Sequence, residues 1–181
     1  MRAPGAGGCS LRPMNDRYDA ILKLRAIRSY RPEVLPGEAI TKILEAARWT
    51  GSSKNRQEWS FIVVTDPQQR DRLAECGDFT DPMRGAPVTI ALVQEAEGYE
   101  FDTGRVAQNV MLAADALGVA SCPVTLHREQ AAAEVLRLPA RARCRYAITL
   151  GYPTEGNGAA RWGGRKPLDD LVHHDRYRNR E

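Results

Sequence analysis

A layered α+β or α/β domain of about four strands is the fold this sequence predicts, on three observations. Two apolar runs too short for helices, at 60–65 and 87–93, read as buried strands. Segments with helical spacing alternate with these and with further strand-like runs, as in a layered domain. One segment, Phe101 to Leu117, is apolar over so wide an arc that it belongs at the centre of the molecule.

Taken in order, residues 16–27 (DRYDAILKLRAI) predict a helix with Tyr18, Ile21, Leu22 and Leu24 on one side. Residues 37–49 form the clearest amphipathic helix. Ile40, Ile43, Leu44 and Ala47 share one face, and Glu38, Lys42 and Glu45 the other. The run at 60–65 is continuously apolar, which predicts a strand covered on both sides. A short helix at 68–75 follows Pro67, and 87–93 (PVTIALV) is the second strand. In the long helix Val106, Val110, Ala113 and Leu117 are in register, and Gly118 ends it. A strand at 118–124, a helix at 129–137 and a strand at 144–150 complete the order. Residues 1–15 read as a flexible leader without a signal-length apolar stretch, and 16–181 as one domain.

Composition narrows the function. Of 181 residues, 43% are apolar and 27% charged, the balance of a globular chain, and no apolar run approaches the roughly 20 residues of a membrane helix. The four cysteines are scattered without metal-ligand or paired spacing, so reduced thiols, no metal and a cytoplasmic location are expected. A net charge of +3 interleaved with acids argues against nucleic acid and leaves room for a small anion. No GxGxxG follows a strand, and GxxxxGK[ST] and HExxH are absent. Of the three histidines only the adjacent His173 and His174 could cooperate, and they read as a solvated tail. No catalytic side chain stands out, so any chemistry belongs to a bound cofactor.

Three stretches could hold one. In GSSKNRQEWSF, Ser52, Ser53, Asn55 and Gln57 place hydroxyls and amides within six residues, enough to satisfy a flat polar heterocycle or a phosphate. The plain alternative is a helix-to-strand connection capped by Gly51. Arg25, Arg28 and Arg31 leave the first helix together, and Arg161, Arg165 and Lys166 sit in a Gly-rich stretch near the other end. Each set is either an anion clamp or a solvated basic face.

Together these residues resemble the nitroreductase family. The resemblance rests on Arg25 to Tyr30, on Ser52 to Trp59, on Asp102-Thr103-Gly104-Arg105-Val106-Ala107-Gln108-Asn109 through to Leu117-Gly118, and on Gly151-Tyr152-Pro153-Thr154-Glu155 followed by Arg165-Lys166-Pro167-Leu168. It implies a three-layer α+β fold, with a mostly antiparallel sheet of four to five strands flanked by helices and a long central helix at a dimer interface. The cofactor implied is FMN with NAD(P)H as electron donor, in a homodimer whose flavin sites lie at the interface. Neither membrane nor nucleic acid is implied as a partner. By the same resemblance Arg25 and Arg28 hold the flavin's phosphate, ribityl and pyrimidine side. Ser52, Ser53, Asn55 and Gln57 reach the flavin across the interface. Backbone N–H groups at Val124, Thr125 or Leu126 lie beside flavin N5, and Arg165 and Lys166 meet the phosphate.

The implied activity is hydride transfer from NAD(P)H through flavin N5 to a nitroarene, quinone or enone by a ping-pong mechanism. The sequence departs from the family pattern at Leu24 (usually arginine), Ala26 (serine), Gly51 and Glu58 (both proline) and Gly163 (often basic). Two alternatives therefore stand beside that activity. One is a different flavin reaction on the same scaffold, either reductive dehalogenation or flavin fragmentation. The other is a non-catalytic binding module with weakened FMN binding.

Overall fold

A computed structural model describes residues 16–155 and 164–177. The predicted leader at 1–15, together with Arg161 and Gly163, lies outside the described residues. Four strands, β1 (Trp59–Val64), β2 (Val88–Gln94), β3 (Ala120–Thr125) and β4 (Arg143–Gly151), form one sheet in the order β1-β2-β4-β3. Every neighbouring pair is antiparallel, so the predicted mostly antiparallel, four-stranded, layered α+β arrangement is what the chain adopts.

Strand period two sorts the core onto the two faces of the sheet. Val88, Ile90 and Leu92 of β2 join Ile148 and Leu150 of β4 under α2 (Gly37–Arg48) and α5 (Glu100–Ala116), meeting Ile43, Ala47, Val106, Val110 and Ala114. Ala91, Val124 and Ala147 face the other way, under α3 (Pro67–Ala74), α4 (Asp81–Gly85) and α6 (Glu129–Leu136), where Leu73, Met83, Ala132 and Leu136 pack. A bulge in β4 explains an apparent exception. Leu92 pairs with Tyr146 but Gln94 pairs with Arg143, so β4 carries one extra residue there, and Cys144 turns to the Ala147 side. The thiols of Cys76, Cys122 and Cys144 are free and buried, and burial pushes that of Cys144 up to about 12, which makes it packing rather than a nucleophile.

α5 is the long central helix, spanning about 25 Å at 1.5 Å per residue. α3 begins where Asp66 accepts the Gln69 N–H at 2.7 Å and Pro67 occupies the first turn. α4 carried no sequence signal beyond Pro82 and is one turn long.

Two expectations need correction. The first helix, α1, covers only Asp16–Lys23 instead of 16–27, and none of its residues is buried. The chain leaves the helix because the backbone of 24–30 is needed elsewhere: Ile27 N–H donates to Ser121 O at 2.9 Å, and Tyr30 bridges Pro153. β1, expected to be covered on both sides, is an edge strand with Val63 37% exposed. Its apolar run is continuous, but the helical layers do not reach over its outer margin.

Tyr30 locks the 24–30 segment down. Its buried hydroxyl lies 2.6 Å from Thr149 Oγ1 and donates to Ile27 O at 2.6 Å, while burial raises the phenol well above its ordinary value. Tyr30→Phe should lower the urea midpoint by the equivalent of about 1–2 kcal/mol with an unchanged denaturant slope. An unmoved midpoint would mean that this hydroxyl does not anchor the segment.

Candidate functional site

The outer margin of β3 is the floor of the best candidate site. Leu126 N–H donates to Arg145 O at 2.7 Å, and Thr125 stands opposite Tyr146. In an antiparallel ladder the pairing then alternates, so Val124 and Cys122 point their backbone groups at β4, while Thr125, Pro123 and Ser121 point theirs away. Pro123 fits that pattern, because its missing N–H is one the ladder never used. Ser121 O is taken by Ile27 N–H, and the Thr125 N–H faces outward with no hydrogen bond among the described residues. Of the three expected backbone donors, Leu126 is therefore ruled out and Val124 is committed to the ladder, since both N–H groups turn inward to β4.

Arg28 follows directly on the Ile27 bond and lies near enough to Cys122 and Tyr30 to affect both. Its guanidinium has no hydrogen bond or carboxylate among the described residues. It lines a cleft of ≈ 290 Å³ with Phe79, Asp81 and Pro82. That second wall is held against β3 by a close approach at Gly77, where a Cβ would stand 2.4 Å from Thr125 O. Only glycine fits there.

Arg25 faces a neighbouring cleft of ≈ 390 Å³ with Leu24, Ser121, Asp115 and Thr154. Among the described residues its guanidinium donates only to Leu22 O and Leu24 O. Asp115 shares that space, so its field is mixed. Leu24 occupies the cleft wall, where an arginine would have added a second charge.

The serine-rich loop lies elsewhere. Arg105 donates to Gly51 O at 2.6 Å, and Asn109 donates to Thr50 Oγ1 at 2.7 Å, so the loop is tied to the N-terminal half of α5. Asp115, beside Arg25, is ten residues beyond Arg105, about 15 Å along the helix axis. One chain therefore does not bring the loop to the arginines. Within the loop, Ser52 Oγ accepts the Gln57 N–H at 2.9 Å, and Gln57 donates its side-chain amide to Asn55 O. Ser53 makes no such contact. Lys54, Asn55 and Gln57 all hold positive φ, near 53°. Asparagine tolerates this, but for lysine and glutamine it costs roughly 1–2 kcal/mol each.

Arg165 and Lys166 are exposed. Among the described residues Arg165 donates only to Gly164 O, and neither residue is tied by a hydrogen bond or ion pair to residues 16–155. The tail 164–177 buries nothing and exposes Leu168, Leu171 and Tyr177. In the sequence Arg105 and Asn109 carry the family resemblance without an assigned role, yet they fasten the loop, and His127 stood out only as one of three histidines.

A model described as "Nitroreductase family" matches residues 21–76 and 79–152. The chain belongs to the nitroreductase family. An NADH dehydrogenase of Thermus thermophilus is 26% identical over 200 residues, 88% of this chain and 96% of that one. An NADPH-flavin oxidoreductase of Vibrio harveyi is 27% identical over 184 residues, 91% of this chain and 75% of that one. Among solved structures, an FMN-dependent nitroreductase of Clostridium difficile superposes with a TM-score of 0.77 at 26% identity, covering 87% of this chain and 98% of that one. No described helix of this nitroreductase-family chain is long and apolar enough to cross a membrane, and no described cluster of His, Cys, Asp or Glu is able to hold a metal.

Ser52→Ala should loosen the nitroreductase-family loop without unfolding the domain. Amide exchange at Gln57 should quicken by about three- to tenfold while amides in β2 stay protected. Unchanged exchange at Gln57 would mean that the Ser52 bond does not hold the loop closed.

Proposed function

We infer that this protein is an FMN-dependent NAD(P)H oxidoreductase that passes hydride to an electron-poor nitroarene, quinone or enone by a ping-pong mechanism. The observation that carries this reading is the pairing of an unpartnered Arg28 guanidinium with an unpaired Thr125 N–H along one open strand edge, in a chain of the nitroreductase family. Those groups fit FMN. A flat heterocycle along β3 would meet a donor at Thr125 and a cation at Arg28, and neither has a hydrogen bond among the described residues.

FMN supplies the two-electron chemistry at its N5. The protein binds and orients. Arg28 would hold the flavin with its positive charge, and a cation there would stabilise negative charge on the reduced cofactor. Arg25, Arg165 and Lys166 serve the phosphate, and Ser52, Ser53, Asn55 and Gln57 serve the ring from a second copy of the chain. The exposed Ile21 and Leu22 of α1 and the exposed Leu168 and Leu171 support that second copy, because they form apolar surface that the described residues leave uncovered. The strain at Lys54 and Gln57 accords with a loop shaped for a ligand rather than for its own stability.

The purified protein, mixed with FMN and freed of excess, should show bound-flavin absorbance near one per chain and should oxidise NAD(P)H when menadione is supplied. A colourless protein that refuses FMN would overturn the reading in favour of a binding module. Thr125→Pro is the sharper variant. It deletes an N–H that the sheet does not use, as Pro123 already does, so the domain should fold while the Kd for FMN rises about three- to tenfold. Unaltered FMN affinity in that variant would remove Thr125 from the site.

A further inference from the structure

His127 stands at the turn between β3 and α6, two residues beyond Thr125, and is fixed from one side. Asp78 N–H donates to His127 Nδ1 at 3.2 Å, so Nδ1 is the acceptor and the ring proton sits on Nε2. The Asp78 carboxylate lies 3.7 Å from the same nitrogen, and Arg128 clamps that carboxylate at 2.6 Å while donating to Glu75 O and Gly77 O. The hydrogen bond from Arg128 holds the Asp78 carboxyl below the usual range. The Nε2–H meets no partner in the described structure, and 39% of the side chain is exposed.

Phe79 meets the imidazole edge-on, with ring centroids 6.3 Å apart, and is itself 83% exposed. The same Phe79 lines the Arg28 cleft. A large bare ring that lines the cleft thus lies next to a pre-oriented N–H donor. Neither has a structural partner that would account for its exposure.

The geometry points to the Phe79–His127 rim as the subsite for the electron acceptor, binding a planar aromatic molecule through ring contact with Phe79 and a hydrogen bond from His127 Nε2–H to its nitro or carbonyl oxygen. This rests on the proposed oxidoreductase reading and deepens it. During quinone reduction the acceptor gains two electrons and one proton as hydride from the NAD(P)H-fed cofactor, and a second proton comes from water. His127 gives up no proton. Its N–H stabilises charge as that charge gathers on the acceptor oxygen. The clamp of Asp78 and Arg128 keeps the imidazole from turning away.

The test uses the full chain loaded with FMN, with His127→Phe, His127→Asn and Phe79→Ala. Nitrobenzene binding without NAD(P)H is read by flavin fluorescence, the KM and kcat for menadione by steady-state turnover, and the NAD(P)H half-reaction by anaerobic stopped flow. His127→Phe should raise the nitrobenzene Kd and the menadione KM about three- to tenfold, with His127→Asn recovering to within about twofold, because asparagine keeps a donor. Phe79→Ala should raise the same two constants. The NAD(P)H half-reaction should stay within about twofold of the parent protein in both His127 variants. An equal loss in both half-reactions, or no change in acceptor binding, overturns the assignment. If the parent protein takes up no FMN, the broader reading fails instead. The rim is then tested by the ¹⁵N resonance of His127 Nε2 in the flavin-free chain. A shift on adding nitrobenzene supports the subsite, and a resonance that does not move overturns it.

Discussion

The open backbone edge of β3 is the constraint on which the rest depends. A strand at the margin of a sheet presents a row of unpaired N–H and C=O groups, and a folded protein must cover or use them. Here one end is covered and the other is left open. The segment after α1 gives up three or four residues of possible helix so that Ile27 can meet Ser121, and Tyr30 closes over Thr149 to hold it there. Pro123 removes one outward donor altogether. Among the outward N–H groups left at Ser121 and Thr125, the one at Thr125 lies beside Arg28 on the covering segment and the Gly77 to Pro82 wall. Arg28 reaches the cleft because the helix stopped early. The shortening of α1 and the placement of the candidate site are thus one structural event.

The second half of the predicted site obeys a different logic. The serine-rich loop is fastened to α5 through Arg105 and Asn109, and it holds two residues in a backbone region they disfavour. Such a shape persists only when its surroundings impose it, and the Ser52 and Gln57 bonds supply part of that constraint. The loop and the arginines sit at different levels of the same helix, so the distance between them is set by the length of α5. A rigid helix makes that separation fixed rather than adjustable, and for this reason a composite site calls for a second copy of the chain.

Much of this was legible in the sequence, and what was not has physical causes. β2 was clear because both its faces are buried, so its apolar run is unbroken. β1 has the same run and was read as equally buried, yet composition cannot distinguish a central strand from an edge strand when the difference lies in how far other layers extend. The helix at 16–27 was overextended because its periodicity holds through Leu24, while the force that ends it, a backbone bond to a strand nearly a hundred residues later, leaves no local mark. How the candidate residues group in space was not legible in the sequence. Val124, Thr125 and Leu126 look alike as a sequence, and only the ladder's alternation separates the one free donor from the two committed ones. His127 looked solitary because its partners Asp78 and Phe79 are contributed by a different loop.

Charge shows the same dependence on folding. The chain's net charge of +3 is too small to draw an anion to any particular place. Folding redistributes it. Lys23, Arg31, Lys42, Arg48, Arg84, Arg105, Arg128 and Arg145 each acquire a carboxylate and so contribute little field beyond a few ångströms. Arg28 at the β3 edge and Lys54 and Arg56 on the serine-rich loop acquire none among the described residues. Other cations, such as Arg72, Arg137 and Arg143, also lack an ion pair among the described residues, but a dimer that joined the β3 edge to the serine-rich loop would add the charges of Arg28, Lys54 and Arg56 together, tempered by Asp115 beside Arg25. An anionic cofactor would then be attracted to the assembled site more strongly than to either half. Binding of that cofactor and association of the chains would each favour the other, because each supplies what the other lacks.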